Sequence, residues 1–183
     1  MIRVLIAGEG PHEIGRERQP GVIVALLQRI RPDGWEVTAR LKWCHIPKYS
    51  VGRADHGDEA SVRRLLFDAT ERQVDVVAFT RDQDDEPARS EAVDRAIAAH
   101  TAGTEHPAVA GGVAVRTIDA WCLALNGARC SESVRYPKEK LHEAGNSGTA
   151  AYVAIVEGAD LTAIPNDAVS LSQWLERAGK ALR

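Results

Sequence analysis

The sequence predicts an α/β fold in which a mostly parallel sheet of about four strands is flanked by helices, with a helical extension at the C-terminus. Short apolar runs rich in β-branched residues alternate along the chain with segments whose apolar residues recur at helical spacing. Successive runs are separated by roughly 30 residues, enough for the right-handed crossovers that join parallel strands.

The strands are predicted from four short segments. Residues 2–7 (IRVLIA) and 74–80 (VDVVAFT) are apolar and β-branched, which is typical of buried parallel strands. Residues 36–42 (EVTARLK) alternate between apolar and polar types and therefore predict a more exposed strand. Residues 109–115 (VAGGVAV) predict a fourth strand, which two adjacent glycines weaken.

Helices are predicted between the strands and after the last of them. Apolar stripes at helical spacing indicate three crossover helices, at residues 22–30, 62–69 and 93–97. Four further helices are expected to pack on the same sheet, at residues 118–127, 138–145, 149–157 and 170–181. We therefore expect a main domain over residues 1–145, with residues 146–183 as a helical extension packed on it.

Composition limits the classes of function. The formal net charge of −3 argues against a free-standing, non-specific nucleic-acid binder, whose affinity would come from a cationic surface. Three widely separated cysteines favour buried free thiols in a reducing compartment. No apolar run reaches the roughly 18 residues of a membrane span, and no secretory signal is recognised. We therefore expect a cytoplasmic protein without a membrane partner.

Acidic side chains follow three of the predicted strands, where ligands bind to open parallel sheets. Glu9 and Glu13 follow the first strand, Asp82 and Asp84 the third, and Asp119 the fourth. On an extended segment, two residues with one between them point the same way, so both aspartates are expected to reach one ion site. Carboxylates this close repel each other without a cation, and carboxylate oxygen suits Mg²⁺ or Mn²⁺. A solvated acidic loop or a helix N-terminus remains the alternative.

Two of these segments resemble the signature of the Toprim domain, a Rossmann-like fold. Glu9-Gly10 after the first strand and Asp82-x-Asp84 after the third match the two motifs of that signature. The domain is shared by type IA topoisomerases, DnaG-type primases, RecR-type repair proteins and OLD-family nucleases. The resemblance covers residues 1–145, which it implies are the catalytic domain.

The similarity is greatest to the OLD-like branch and to small stand-alone Toprim-like proteins. Residues 9–13 (EGPHE) fit the E-G-x-x-E form of the first motif in that branch. Residues 119–123 (DAWCL) are similar to an element after the fourth strand that more often begins with Glu, and Pro137-Lys138 is similar to a later Pro-Lys segment.

The resemblance implies a Mg²⁺- or Mn²⁺-dependent nuclease-like protein that cleaves phosphodiester bonds by a two-metal mechanism. The implied roles are these: Glu9, Asp82 and Asp84 hold the first ion or bridge the pair, Glu13 and Asp119 serve the second, and Lys138 or Lys140 stabilises charge on the phosphate. The implied partner is nucleic acid, with DNA favoured over RNA, in phage defence or DNA repair. The basic loop at residues 43–57 is a candidate for phosphate contacts.

Other functions remain open. The chain has no G-x-x-x-x-G-K-[ST] phosphate loop, so any ATPase must be a separate subunit. A non-catalytic Toprim binding or regulatory subunit of a larger complex is the main alternative, and a homo-oligomer is compatible with either. In a phosphotransferase, Asp82 would be the phosphorylated nucleophile, although such families usually place that residue after the first strand, where this chain has Glu9.

Overall fold

The computed structural model describes residues 1–46, 57–103 and 106–183. Most of the candidate phosphate-contacting loop, residues 47–56, lies outside these ranges. One sheet runs through the described chain, with the four strands β1 (Ile2–Gly8), β2 (Trp35–Lys42), β3 (Val76–Asp82) and β4 (Ala108–Ala114). Their order is β2-β1-β3-β4, and every neighbouring pair is parallel. The predicted α/β fold with a four-stranded parallel sheet is therefore confirmed.

Eight α-helices accompany the sheet in the described residues. They are α1 (Pro11–Ile14), α2 (Val22–Ile30), α3 (Asp58–Glu71), α4 (Ala88–Gly103), α5 (Ile118–Leu125), α6 (Pro137–Glu143), α7 (Gly148–Gly158) and α8 (Val169–Ala181). Seven of them were predicted; α1 was not, because four residues are too few to show helical periodicity. None of the helices in the described ranges is long and apolar enough to cross a bilayer.

The helices form a layer on each face of the sheet. Leu5, Val77 and Phe79 point to the face that α3 and α4 cover. Val4 and Ala78, which alternate with them, point to the opposite face, where α2, α5, α7 and α8 pack. The edge strand β2 has half-buried and exposed residues and no buried one, so it is a more exposed strand, as its sequence predicted.

The C-terminal helix is anchored to the sheet by polar and aromatic contacts. The indole N–H of Trp174, which is fully buried, donates to the carbonyl oxygen of Phe79 at 2.9 Å. Its ring packs on that of Trp121, with 5.8 Å between the centroids. The guanidinium of Arg177 donates to the carbonyl oxygen of Gly111 in β4 at 2.8 Å. The helical extension predicted at the C-terminus is therefore packed on the main sheet.

Strand β3 ends two residues later than predicted. Arg81 and Asp82 continue its pairing with β4, opposite Val113 and Ala114. The apolar run that predicted the strand stops before these polar residues, although the backbone ladder does not. Asp82 is therefore the last residue of the strand and not part of the loop beyond it.

The strand order reverses between β1 and β3. From β1 the chain crosses through α2 to β2 on one side, whereas from β3 it crosses through α4 to β4 on the other. Helices α2 and α4 lie on opposite faces of the sheet. The crevice between the carboxyl ends of β1 and β3 is therefore the topological switch point, where ligands bind in open α/β sheets.

The cysteines are free, but only one of them is in the core. Cys122 is fully buried, whereas Cys44 and Cys130 are exposed. The expectation of buried thiols is therefore wrong for these two, because each lies in a short connecting segment outside the helices that cover the sheet. The cytoplasmic location stays a prediction.

Two adjacent glycines of β4 give a test of the packing. A Cβ atom at Gly111 would lie 2.1 Å from Cε1 of the buried Phe79, whereas one at Gly112 would approach nothing closer than 3.5 Å. We expect Gly111→Ala to lower the free energy of unfolding by about 1–3 kcal/mol through overpacking. Gly112→Ala should leave it unchanged or raise it by up to about 1 kcal/mol. Urea denaturation measures both, and equal losses would contradict the described packing.

Candidate functional site

Glu9 and Asp82 meet at the switch point. Glu9 is the first residue after β1, and Asp82 ends the adjacent strand β3. The backbone N–H of Asp82 donates to Oε1 of Glu9 at 3.1 Å, although 73 positions separate the two in sequence. The structure thus brings together the first residues of the two motifs.

Helix α1 places a second carboxylate beside the first. A Cβ atom at Gly8 would lie 2.7 Å from Cβ of Glu13, so only glycine lets α1 fold this closely over the end of β1. Glu13 is 5% exposed, and its Oε2 accepts a hydrogen bond from the backbone N–H of Gly10 at 2.6 Å. Burial raises the pKa of Glu13, and the negative charges of Glu9 and Asp119 add to the rise against opposing backbone hydrogen bonds.

Asp82 has the most perturbed acidity of the predicted ligands. Burial raises its pKa to about 8, and the nearby carboxylates of Glu13 and Glu9 contribute to the rise. One hydrogen bond acts in the opposite direction, because the backbone N–H of Ile118 at the start of α5 donates to Oδ1 of Asp82 at 2.8 Å. At neutral pH the crowded carboxylates are therefore relieved by a proton, and a cation could take its place.

Asp119 belongs to the same group. It lies in the first turn of α5 and is 9% exposed. The hydroxyl of Thr117 donates to its Oδ2 at 3.0 Å, and the hydroxyl of Tyr152 in α7 donates to its Oδ1. Burial, together with the hydrogen bond to Asp119, raises the pKa of Tyr152 far above its usual range, so the phenol remains protonated and acts as the donor.

Asp84 does not lie on an extended segment, so the expectation of an extended Asp82-x-Asp84 segment is wrong. The chain turns after β3, and Asp84 has a φ of +51°, in the left-handed region. Its backbone N–H donates to the carbonyl oxygen of Arg116 at 3.0 Å, and this bond holds the turn. The negative charge of Asp84 nevertheless contributes to the raised pKa of Asp82, so the turn keeps it near the group.

Two arginines on the α3–α4 side neutralise the outer carboxylates. Arg81 forms an ion pair with Glu9, and Nε of Arg81 lies 3.0 Å from Oδ1 of Asp58. Arg89 is 5% exposed and binds Oδ2 of Asp58 at 2.9 Å and Oδ2 of Asp84 at 2.8 Å. It also donates to the carbonyl oxygen of Asp82. Asp58 therefore ties together the two guanidinium groups that hold the end of β3.

Asp58, Arg89 and Tyr152 were not predicted from the sequence as members of the site. Asp58 begins α3 and Arg89 lies in the first turn of α4, so both helix starts reach the same edge as the strand ends. A search of the helix starts that face this edge would have found them. Tyr152 lies within an apolar helical stripe, and such a stripe gives no sign that one member carries a functional hydroxyl.

Lys138 is not joined to the acidic group. It is exposed in the first turn of α6, and within the described ranges it makes no ion pair with any of the five predicted ligands. Its implied role as a phosphate contact stays a prediction.

The five carboxylates share one electrostatic environment, but each has its own hydrogen-bond partner. In the part of the chain that the structure describes, no three His, Cys, Asp or Glu side chains are arranged to ligate one ion. Their oxygen donors nevertheless suit Mg²⁺ or Mn²⁺. The pKa values of Glu13 and Asp82 are raised first by burial and then by the neighbouring carboxylates. The residue types and electrostatics therefore fit a hard divalent cation.

Comparison with known proteins gave no relative. No family model matches the chain, and neither the curated proteins nor the solved structures that were searched contain a match. The similarity to the Toprim domain stays a prediction.

The shifted acidity of Asp82 makes stability depend on pH. Its pKa is about 8 in the folded protein, against an ordinary value of 3.8 that we take for the unfolded chain. Between these pH values the folded state binds more protons, so wild-type stability falls as the pH rises from about 4 to about 8. The Asn side chain of Asp82→Asn cannot ionise. The free energy of unfolding of this variant should therefore exceed that of wild type by a margin that grows from near zero at pH 4 to on the order of a few kcal/mol at pH 9.

Urea denaturation with EDTA present, at several pH values, measures this difference. Asp85→Asn is the matched control, because the Asp85 side chain is fully exposed three residues beyond the end of β3. The stability difference between Asp82→Asn and wild type could instead be the same at pH 5 and pH 9. That result would show that the pKa of Asp82 is not raised in the folded protein.

Proposed function

We propose that this chain is a Toprim-type, Mg²⁺- or Mn²⁺-dependent nuclease-like protein that cleaves nucleic-acid phosphodiester bonds by a two-metal mechanism. The observation that carries the proposal is a deficit of positive charge at the switch point. Among the described residues, Glu13, Asp82 and Asp119 have no cationic partner, and only N–H and O–H donors contact their carboxylates. Divalent cations would supply the missing charge.

The carboxylates assigned to the two proposed ions come from different elements. Glu9, Asp82 and Asp84 come from the β1 and β3 ends and would hold or bridge the first ion. Glu13 and Asp119 come from α1 and α5 and would hold the second. Bound ions would supply Lewis-acid activation of water and stabilise negative charge on the phosphate.

The chain's own groups prepare the site in three ways. Arg81 holds Glu9, and Arg89 holds both Asp84 and the backbone at the end of β3. Asp82, with a pKa of about 8, would have to lose its proton to bind a cation, so cation affinity should increase as the pH rises toward 8. The burial of Glu13 and Asp119 limits competition from water.

Cations near the acidic group suit a polymer with several phosphates. Lys42 is exposed at the end of β2, and its Cα pairs with that of Gly8, next to Glu9. Arg116 follows β4, and its carbonyl oxygen accepts the hydrogen bond from Asp84. Phosphate contacts of this kind position a nucleic acid without reading its sequence. They do not separate DNA from RNA, and DNA remains our expectation.

A second candidate is a non-catalytic Toprim subunit of a larger complex. It is favoured because Glu9 and Asp84 already form ion pairs with arginine, and because Lys138 lies outside the acidic group. In that case a partner, such as a separate ATPase, would be needed for any action on nucleic acid. Roles in phage defence or DNA repair belong to either candidate.

Metal binding and cleavage can be tested together on the full chain. We expect Mn²⁺ to raise the melting temperature of the wild type and to support cleavage of labelled single-stranded or double-stranded DNA or RNA. Asp82→Asn should abolish the Mn²⁺-dependent stabilisation and should lower cleavage by more than the roughly 10–100-fold loss caused by removing a group that supports a metal ligand. Asp85→Asn should behave as wild type.

The outcomes separate the candidates. Stabilisation by Mn²⁺ without cleavage of any substrate would favour the non-catalytic subunit, and cleavage that appears only with an added ATPase would identify its partner. A stable phosphoenzyme would instead support a phosphotransferase. If Asp82→Asn retained full Mn²⁺-dependent stabilisation, the proposed site would be wrong.

A further inference from the structure

We propose that Tyr152 is a positioning residue of the candidate metal site, and that α7 is therefore part of that site. The inference rests on the proposed function and deepens it, because it assigns a role to a residue outside the range 1–145 covered by the Toprim resemblance. The hydroxyl of Tyr152 restrains the Asp119 carboxylate and would thereby support its binding of a second ion.

The Asp119 carboxylate is held from both sides. The hydroxyl of Tyr152 donates to Oδ1, and that of Thr117 donates to Oδ2 at 3.0 Å. Each carboxylate oxygen can accept about two bonds, so both oxygens keep a free acceptor position. Two donors on opposite oxygens fix the plane of the carboxylate, as groups that support a metal ligand do.

Tyr152 and Asp119 are both buried, so the hydrogen bond between them stabilises a carboxylate that has little contact with water. Tyr152 is 2% exposed and Asp119 is 9% exposed, and no cation contacts either side chain in the described part of the chain. A buried carboxylate that loses a donor bears the cost of desolvation without compensation. If the hydroxyl were removed, the bond from Thr117 would be the one side-chain bond left to Asp119 among the described residues, and the carboxylate would be less restrained.

Helix α7 also contacts the other carboxylate-bearing helix. The rings of Tyr152 and His12 are 5.1 Å apart between centroids, and Nδ1 of His12 is hydrogen-bonded to the hydroxyl of Thr149 at 2.9 Å. His12 precedes Glu13 in α1. One helix therefore contacts both α1 and α5, which carry the two carboxylates assigned to the second ion.

This arrangement predicts a selective effect. Glu9, Asp82 and Asp84 have no bond to α7 within the described ranges, so the first ion should not depend on Tyr152. A tyrosine that only filled space would affect stability without changing the relative affinity of the two ions. The ratio of the two affinities is therefore the informative quantity.

Titration of the full chain with Mn²⁺, followed by the electron paramagnetic resonance signal of free Mn²⁺, counts the bound ions. We expect two ions in the wild type and in Tyr136→Phe, a matched control at a tyrosine that is 53% exposed. In Tyr152→Phe, the second ion should bind roughly 10–100-fold more weakly while the first is unchanged. Circular dichroism checks that each variant is folded.

A second pair of variants tests the other oxygen of Asp119 and does not depend on the folding of Tyr152→Phe. Thr117→Val should weaken the second ion, whereas Thr117→Ser, which keeps the hydroxyl, should bind as wild type does. The Thr117 side chain makes no capping hydrogen bond to α5, so loss of a helix cap cannot explain the difference.

The inference and the proposed function fail in different ways. If the wild type bound no Mn²⁺, the proposed function would fail and this inference with it. If the wild type bound two ions and Tyr152→Phe bound both equally well, only the positioning role would be overturned. A single ion bound alike by both proteins would also overturn that role.

Discussion

The parallel pairing of β1 with β3 is the constraint on which the rest of the site depends. Residues 4–7 pair with residues 76–79, so the chain segments beyond both strands must emerge side by side. The bond from the Asp82 N–H to Glu9 is the first consequence of this pairing. The crossovers from β1 and β3 run in opposite directions and leave a crevice between the two strand ends, and the acidic side chains meet there.

Among the described residues, arginines neutralise the carboxylates on one side of the acidic group but not those on the other. On the α3–α4 side, Arg81 and Arg89 neutralise Glu9 and Asp84 and are themselves joined by Asp58. On the other side, Glu13, Asp82 and Asp119 are contacted only by neutral donors within the described ranges, and burial raises the pKa of the first two. Natural proteins often keep such an unfavourable arrangement where function requires it, and a divalent cation would relieve it.

The sequence predicted those parts of the fold that local patterns encode. The apolar runs identified all four strands, and the stripes identified α2 and the helices from α3 to α8. The end of β3 was misplaced because Arg81 and Asp82 stay in the ladder although they are polar. The short helix that carries Glu13 was missed because its position depends on close packing against Gly8, which periodicity does not reveal.

For the candidate site, the sequence predicted which carboxylates share an edge but not how they are held. The left-handed turn at Asp84 and the partners Asp58, Arg89 and Tyr152 arise from contacts between distant segments, which no local pattern records. An anomalous-scattering crystal structure of the full chain soaked in Mn²⁺ would locate bound ions. We expect Mn²⁺ peaks within about 2.0–2.2 Å of carboxylate oxygens of Asp82 and Glu9. Peaks found only elsewhere on the protein, with Arg81 and Arg89 still binding Glu9 and Asp84, would contradict this expectation.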